Sequence, residues 1–276
     1  MTTEHPSKHV SRQKLPGLLL LFDRGGRPDK VALSAAISAI MRATAGNDCS
    51  LANTQKQSRQ QVQVNSLEVI YDGLAFDFRG LAPGAALNRP ELRHTFECQP
   101  GELTPCEAAG LFPGPHLADG ANMLPVVRAM LALGAGLAER LDDVRAVCWT
   151  PASSAVAPRI FIGAVRRWLV GGQFPAPGLF GLWRDASGAV RSEGLAFFID
   201  REMVIDGDLC GQPGSAAPLA ASIVHHLVGY GAPVDTIDLT LDDGRMVRLD
   251  NSDSGGVLRV RSATQPLPKQ EVRQAG

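Results

Sequence analysis

Leu67-Glu68-Val69-Ile70-Tyr71-Asp72-Gly73-Leu74-Ala75-Phe76-Asp77-Phe78-Arg79 reads as two strand signals hinged on an Asp-Gly pair. Leu74, Phe76 and Phe78 fall on one side of a pleated strand, Asp77 and Arg79 on the other. That period of two is what a half-buried strand requires. Asp-Gly between such runs favours a tight hairpin, because both central residues take positive φ and glycine has no Cβ to oppose it. The pattern predicts antiparallel strands over 62–72 and 74–81. Asp242-Asp243-Gly244 repeats the signal between strands predicted at 237–241 and 246–249.

Outward from these hairpins the pattern alternates between helix and strand. Leu18-Leu19-Leu20-Leu21-Phe22 is a short apolar run bounded by Pro16-Gly17 and Gly25-Gly26, which suits a buried strand. Helices are expected over 29–44, 123–140, from Pro158 and from about Ser215 to Tyr230. Asn122 is the expected N-cap of the second, with Pro125 in its first turn. Further strands are expected at 93–99, 144–150, 178–183, 195–200, 203–206 and 257–260. Residues 47–61 read as a loop, and the stretch through Pro115 as a Pro/Gly-rich passage.

Hairpins mixed with crossovers predict an α+β fold, a mixed and largely antiparallel sheet with helices on one face. The two halves, 16–150 and 151–262, are readable as two ferredoxin-like units between polar tails at 1–15 and 263–276.

The chain has 276 residues, 45% of them hydrophobic, and a formal net charge of −1. That balance excludes a disordered chain and argues against coating nucleic acid or an acidic membrane surface. No apolar stretch approaches the roughly 18–20 residues of a membrane span. The five cysteines are scattered and contain no CxxC pair, which suits a reduced, cytoplasmic protein. Lys8, His9, Arg12 and Lys14 before the leucine run imitate a secretion signal, but Asp23-Arg24 ends the run too soon.

Residues with chemical potential are sparse. His94 and Cys98 share a strand face, with Glu97 between them, yet a metal needs three or four such groups, and packing is the simpler reading. Asp23-Arg24-Gly25-Gly26-Arg27 and Cys210-Gly211-Gln212-Pro213-Gly214-Ser215 each precede a helix. Free N–H groups in such turns can hold an anion. The two arginines make Arg24, Gly25, Gly26 and Arg27 the better anion-binding candidate. His225 and His226 sit about 100° apart on their helix, too divergent to share a ligand, with His225 the more exposed. Trp149, Trp168 and Trp183 are expected in the core. No metal site and no cofactor is expected.

Ala146-Val147-Cys148-Trp149, Pro158-x-x-Phe161, Gly181-Leu182-Trp183 and Ser192-Glu193-Gly194-Leu195 together resemble the bacterial domain of unknown function 4261. The likeness extends weakly back to Arg93-His94-Thr95-Phe96 and forward to about residue 251. Three departures stand out: Ser192 replaces a threonine, Ile199 occupies a glycine position, and Glu202 alone remains of an acidic pair. The resemblance implies an α+β fold and a cytoplasmic bacterial protein, and it implies no activity.

The leading expectation is therefore a non-catalytic interaction or regulatory module whose partner is a protein or a second copy of the chain. One alternative is a small-molecule or phosphoester-type enzyme using His94, Glu193 and Glu202. The other is an anion-binding protein acting through Arg24 and Arg27.

Overall fold

A computed structural model of the chain describes residues 16–44, 65–211, 214–251 and 256–263. The expected loop at 47–61, the tail at 1–15 and all but Ala263 of the tail at 263–276 lie outside these residues, as do Gln212 and Pro213.

The elements are β1 (Leu18–Phe22), α1 (Lys30–Thr44), β2 (Ser66–Tyr71), β3 (Leu74–Arg79), β4 (His94–Phe96), α2 (Pro100–Leu103), β5 (Glu107–Pro113), α3 (Leu124–Arg140) and β6 (Val144–Trp149). They continue with β7 (Ser154–Val156), α4 (Pro158–Leu169), β8 (Gly181–Arg184), β9 (Val190–Glu193), α5 (Ala196–Ile199) and β10 (Glu202–Ile205). Last come α6 (Ala216–Tyr230), β11 (Ile237–Thr240), β12 (Met246–Asp250) and β13 (Val257–Ser262). The fold is α+β, built on two mixed and mostly antiparallel sheets.

The first sheet has the order β2-β3-β5-β1-β6-β7-β4. Its hairpin pairs Val69 with Phe76, and Asp72 and Gly73 take φ of 52° and 74°. Both central residues are left-handed, as the Asp-Gly pair demands. The inner strands β6-β1-β5-β3, crossed by α1 and α3, form the split β-α-β arrangement of a ferredoxin-like unit. The second sheet, β11-β12-β13-β10-β9-β8, is built differently, so the second ferredoxin-like unit expected over 151–262 is not formed. Two antiparallel meanders are joined through α6, and the seam between them is the parallel pair β10–β13.

Leu18, Leu20 and Phe22 of β1 turn toward α3, while Leu19 and Leu21 pack with Ala108, Ala146 and Cys148 on the other side. The larger apolar cluster continues through Trp149 and Leu195 to Ile223 of α6 and Val260 of β13, so one core serves both sheets. At the junction Trp149 meets Phe197 edge-on at 5.1 Å and stacks on Phe198 at 5.9 Å.

Four further expectations are corrected. The passage before Pro115 contains β5, a central strand. Its Ala108-Ala109-Gly110 carries no strand signal, and at Gly110 the Leu19 side chain of the paired strand β1 takes the place a larger group would need. A Cβ on Gly110 would stand 2.4 Å from Leu19 Cδ2. The stretch 195–200 is a helical turn, α5, not a strand, its backbone having turned at Gly194 with φ of 93°. Met123, not Asn122, caps α3, and no side-chain bond is made there. Trp183 is 47% exposed, because β8 is an edge strand and its outer face meets solvent.

Candidate functional site

β4 is the last strand of the first sheet and β8 the last of the second, and the two edges meet at one imidazole. Gly181 opens β8 and pairs across with Glu193 at the end of β9. The His94 ring lies against the Gly181 backbone, so closely that a Cβ there would stand 2.0 Å from Cδ2. The notch left by the glycine admits the ring, and the carboxylate one strand away holds it. His94 Nε2 is 3.0 Å from Glu193 Oε2, and Arg93 Nη1 donates to Glu193 Oε1 at 3.2 Å. The His94 side chain is 11% exposed and that of Arg93 60%.

Beside this trio lies a cleft of about 640 Å³. Phe96 from β4, Pro177, Phe180 and Leu182 from around β8, and Ala217 and Ala221 from α6 line its apolar walls. Arg93 and His94 supply its ionisable groups. Phe180, 4% exposed, fixes that wall in the core. Ser154 Oγ donates to the Gly178 carbonyl, so the loop leading to β8 is pinned to β7.

His94 and Glu193 therefore meet, as the enzyme alternative requires, but Glu202 has other work. Its Oε1 accepts from the amides of Gly194 and Ala196 at 2.8 and 3.2 Å. Its Oε2 accepts from the Leu195 amide at 3.3 Å and from the Ser192 hydroxyl. Ser192 Oγ in turn accepts from the Met203 amide at 2.8 Å. Glu202 thus closes the turn from β9 into α5, satisfying amides that would otherwise be orphaned there. Gly194 is required at this turn twice over. Its φ is left-handed, and a Cβ would come within 2.9 Å of the Ala152 backbone nitrogen.

The arginine-glycine loop does bind an anion, and the anion belongs to the protein. Arg27 Nε donates to Glu107 Oε2 at 2.8 Å, and the Gly25 amide reaches the same oxygen at 3.4 Å. Arg27 Nη1 and Nη2 donate to the carbonyls of Gly80 and Gly84 at 2.6 and 2.8 Å. The Arg27 side chain is 10% exposed, and its hydrogen bond holds the Glu107 carboxyl below the usual range. Arg24 stays in solvent, and Gly26 packs near Asp143.

Among the described residues no group of three His, Cys, Asp or Glu side chains could hold a metal ion. Cys98 donates to the Ala155 carbonyl at 3.5 Å, and burial raises its thiol pKa. His225 is exposed, as expected, and its Nδ1 accepts from the Phe174 amide at 3.2 Å. The cleft itself escaped the sequence, because its walls come from three separate segments, within 93–96, 176–182 and 217–221. The one local sign was the glycine at position 181.

Comparison with protein-family models, with curated proteins and with solved structures finds no match. The structure gives the motif residues singled out in the sequence physical tasks. Trp149 and Phe161 are buried in the core, Gly181 makes room for His94, and Ser192 and Gly194 build the turn that Glu202 closes.

Proposed function

We propose that this chain is a non-catalytic interaction or regulatory module, and that its recognition site is the cleft between the β4 and β8 edges. The observation that supports this is the pairing of a roomy apolar hollow with a polar rim whose carboxylate is already engaged. Glu193 is shared by Arg93 and His94, and Glu202 is saturated by backbone amides and a serine hydroxyl. Concave apolar sites of ~300–1,000 Å³ with a few convergent polar groups are where proteins take small ligands or partner side chains. Occupancy there bears on both sheet edges at once, which suits a module that relays a signal to a protein partner or a second copy of itself. Among the described residues no helix is long and apolar enough to cross a membrane. Unpaired thiols at Cys98, Cys106, Cys148 and Cys210 support placement in a reducing cytoplasm.

The neutral dye Nile red tests the site. Wild-type protein should enhance and blue-shift its emission, and Ala221→Trp, which fills the cleft from α6, should abolish the signal without lowering Tm. No enhancement by wild type, or full enhancement by the variant, defeats the proposal.

The 3.0 Å contact between His94 and Glu193 favours a second reading, in which the pair serves as an oriented base. Glu202 has no part in it. Turnover of a phosphoester or carboxylic ester panel that survives in Glu202→Gln but disappears in both His94→Gln and Glu193→Gln would establish it. Equal turnover by all four proteins would end it.

A further inference from the structure

We infer that the cleft takes a small apolar carboxylate, an aryl or alkyl acid whose hydrocarbon lies against Phe96, Phe180 and Leu182. This rests on the proposed recognition role of the cleft and adds the class of ligand.

Arg93 uses Nη1 on Glu193, while its Nε and Nη2 have no partner among the described residues. The guanidinium is a planar fork with five donor hydrogens, able to hold two carboxylates at once. The first turn of α6 adds to this side. Its early N–H groups have no intrahelical acceptor, and Ala217 of that turn lines the cleft. The fifteen-residue helix also places its positive end there.

On the acceptor side both Glu193 oxygens are occupied, one by Arg93 and one by His94. No carboxylate lines the cleft among the described residues. A ligand must therefore bring acceptors, and a charged one gains most from a guanidinium next to apolar walls. An ammonium would meet the Arg93 guanidinium, with no carboxylate lining the cleft to offset the repulsion. An alcohol would fill the walls but give the fork a single oxygen.

The fit of the hydrocarbon is set by aromatic and branched side chains anchored in the core. Phe180 is buried, and Phe96 and Leu182 pack against the main cluster. Burying a chain of several methylenes there is favourable. The carboxylate supplies direction, placing the acid at the Arg93 end.

Displacement of Nile red from the full-length protein separates the claims. The probes are 4-phenylbutyrate, 4-phenylbutan-1-ol and 4-phenylbutylamine at equal ionic strength. The acid should displace the dye at a concentration at least tenfold below that of the alcohol, with the amine weakest. Arg93→Gln, a change at an exposed side chain, should bring acid and alcohol together, each displacement being read against the variant's own affinity for the dye. Equal potency of acid and alcohol, preference for the amine, or an acid preference that survives Arg93→Gln each overturns the carboxylate assignment. The same holds if the dye binds and none of the three displaces it. Failure of the dye to bind at all defeats the recognition site itself, so the two results are distinct.

Discussion

Gly181 controls the His94–Glu193 contact without touching it through any side chain. A methyl at this position would overlap the imidazole, which has no flexible end to swing away. Gly181→Ala should cost about 1–3 kcal/mol by overpacking. It should also break the hydrogen bond, seen as a changed tautomer pattern in the ring nitrogen NMR signals of His94. Glu202→Ala should be costlier, about 3 kcal/mol in urea unfolding, because it strips a charged acceptor from several donors at once. Cys148 gives the opposite case. Burial pushes its thiol far above the ordinary range and leaves it inert. At this scale the sequence was legible where side chain meets side chain, as in His94 with Glu193. It misled where a side chain serves the backbone: Glu202 and Arg27 look like free chemistry until the amides and carbonyls around them are placed.

The elements divide in the same way. Both hairpins, α1, α4 and α6 follow from periodicity, since each keeps one apolar stripe and turns the other side outward, whereas α3 is buried around most of its girth. β5 and α5 were hidden for opposite reasons. β5 has small residues where pattern reading wants large ones, and the Leu19 side chain of β1 fills the place a side chain at Gly110 would take. Gly110→Val should therefore destabilise the protein by at least ~2 kcal/mol despite raising strand propensity. The check is equilibrium unfolding, with a Tm equal to or above wild type counting against it. α5 has large apolar residues that mimic a strand, but Phe197 and Phe198 plug the junction of two sheets. Tertiary packing of this kind is set by residues far along the chain and leaves no local period. β7, three residues long, is too short to carry one.

Across the whole molecule, acid is the natural denaturant. Hydrogen bonds from Arg145 to Asp23, from Arg27 to Glu107 and from Arg166 to Glu139 lower those carboxyl pKa values. Ser187 and then Arg191 hold Asp185 at about 2, down from 3.8. A carboxylate with a lowered folded pKa binds fewer protons when folded than when unfolded, so its contribution is complete above the unfolded value. It is lost as pH falls through the folded one. Stability should accordingly be level on these groups' account above about pH 6 and decline from about pH 5 to 2. Urea midpoints taken across that range test this, and a midpoint that rises on acidification would contradict it. The order in which strands emerge during synthesis has a further consequence. β13 leaves the ribosome after every other described strand, yet it takes a place in the middle of its sheet, between β10 and β12. Until Val257–Ser262 slides in, two bare flanks of nascent chain stand open, each a template for wrong pairing. A message that stalls shortly before Val257 should yield a product held by chaperones or cleared by proteases, although nearly all of its apolar core has already been made.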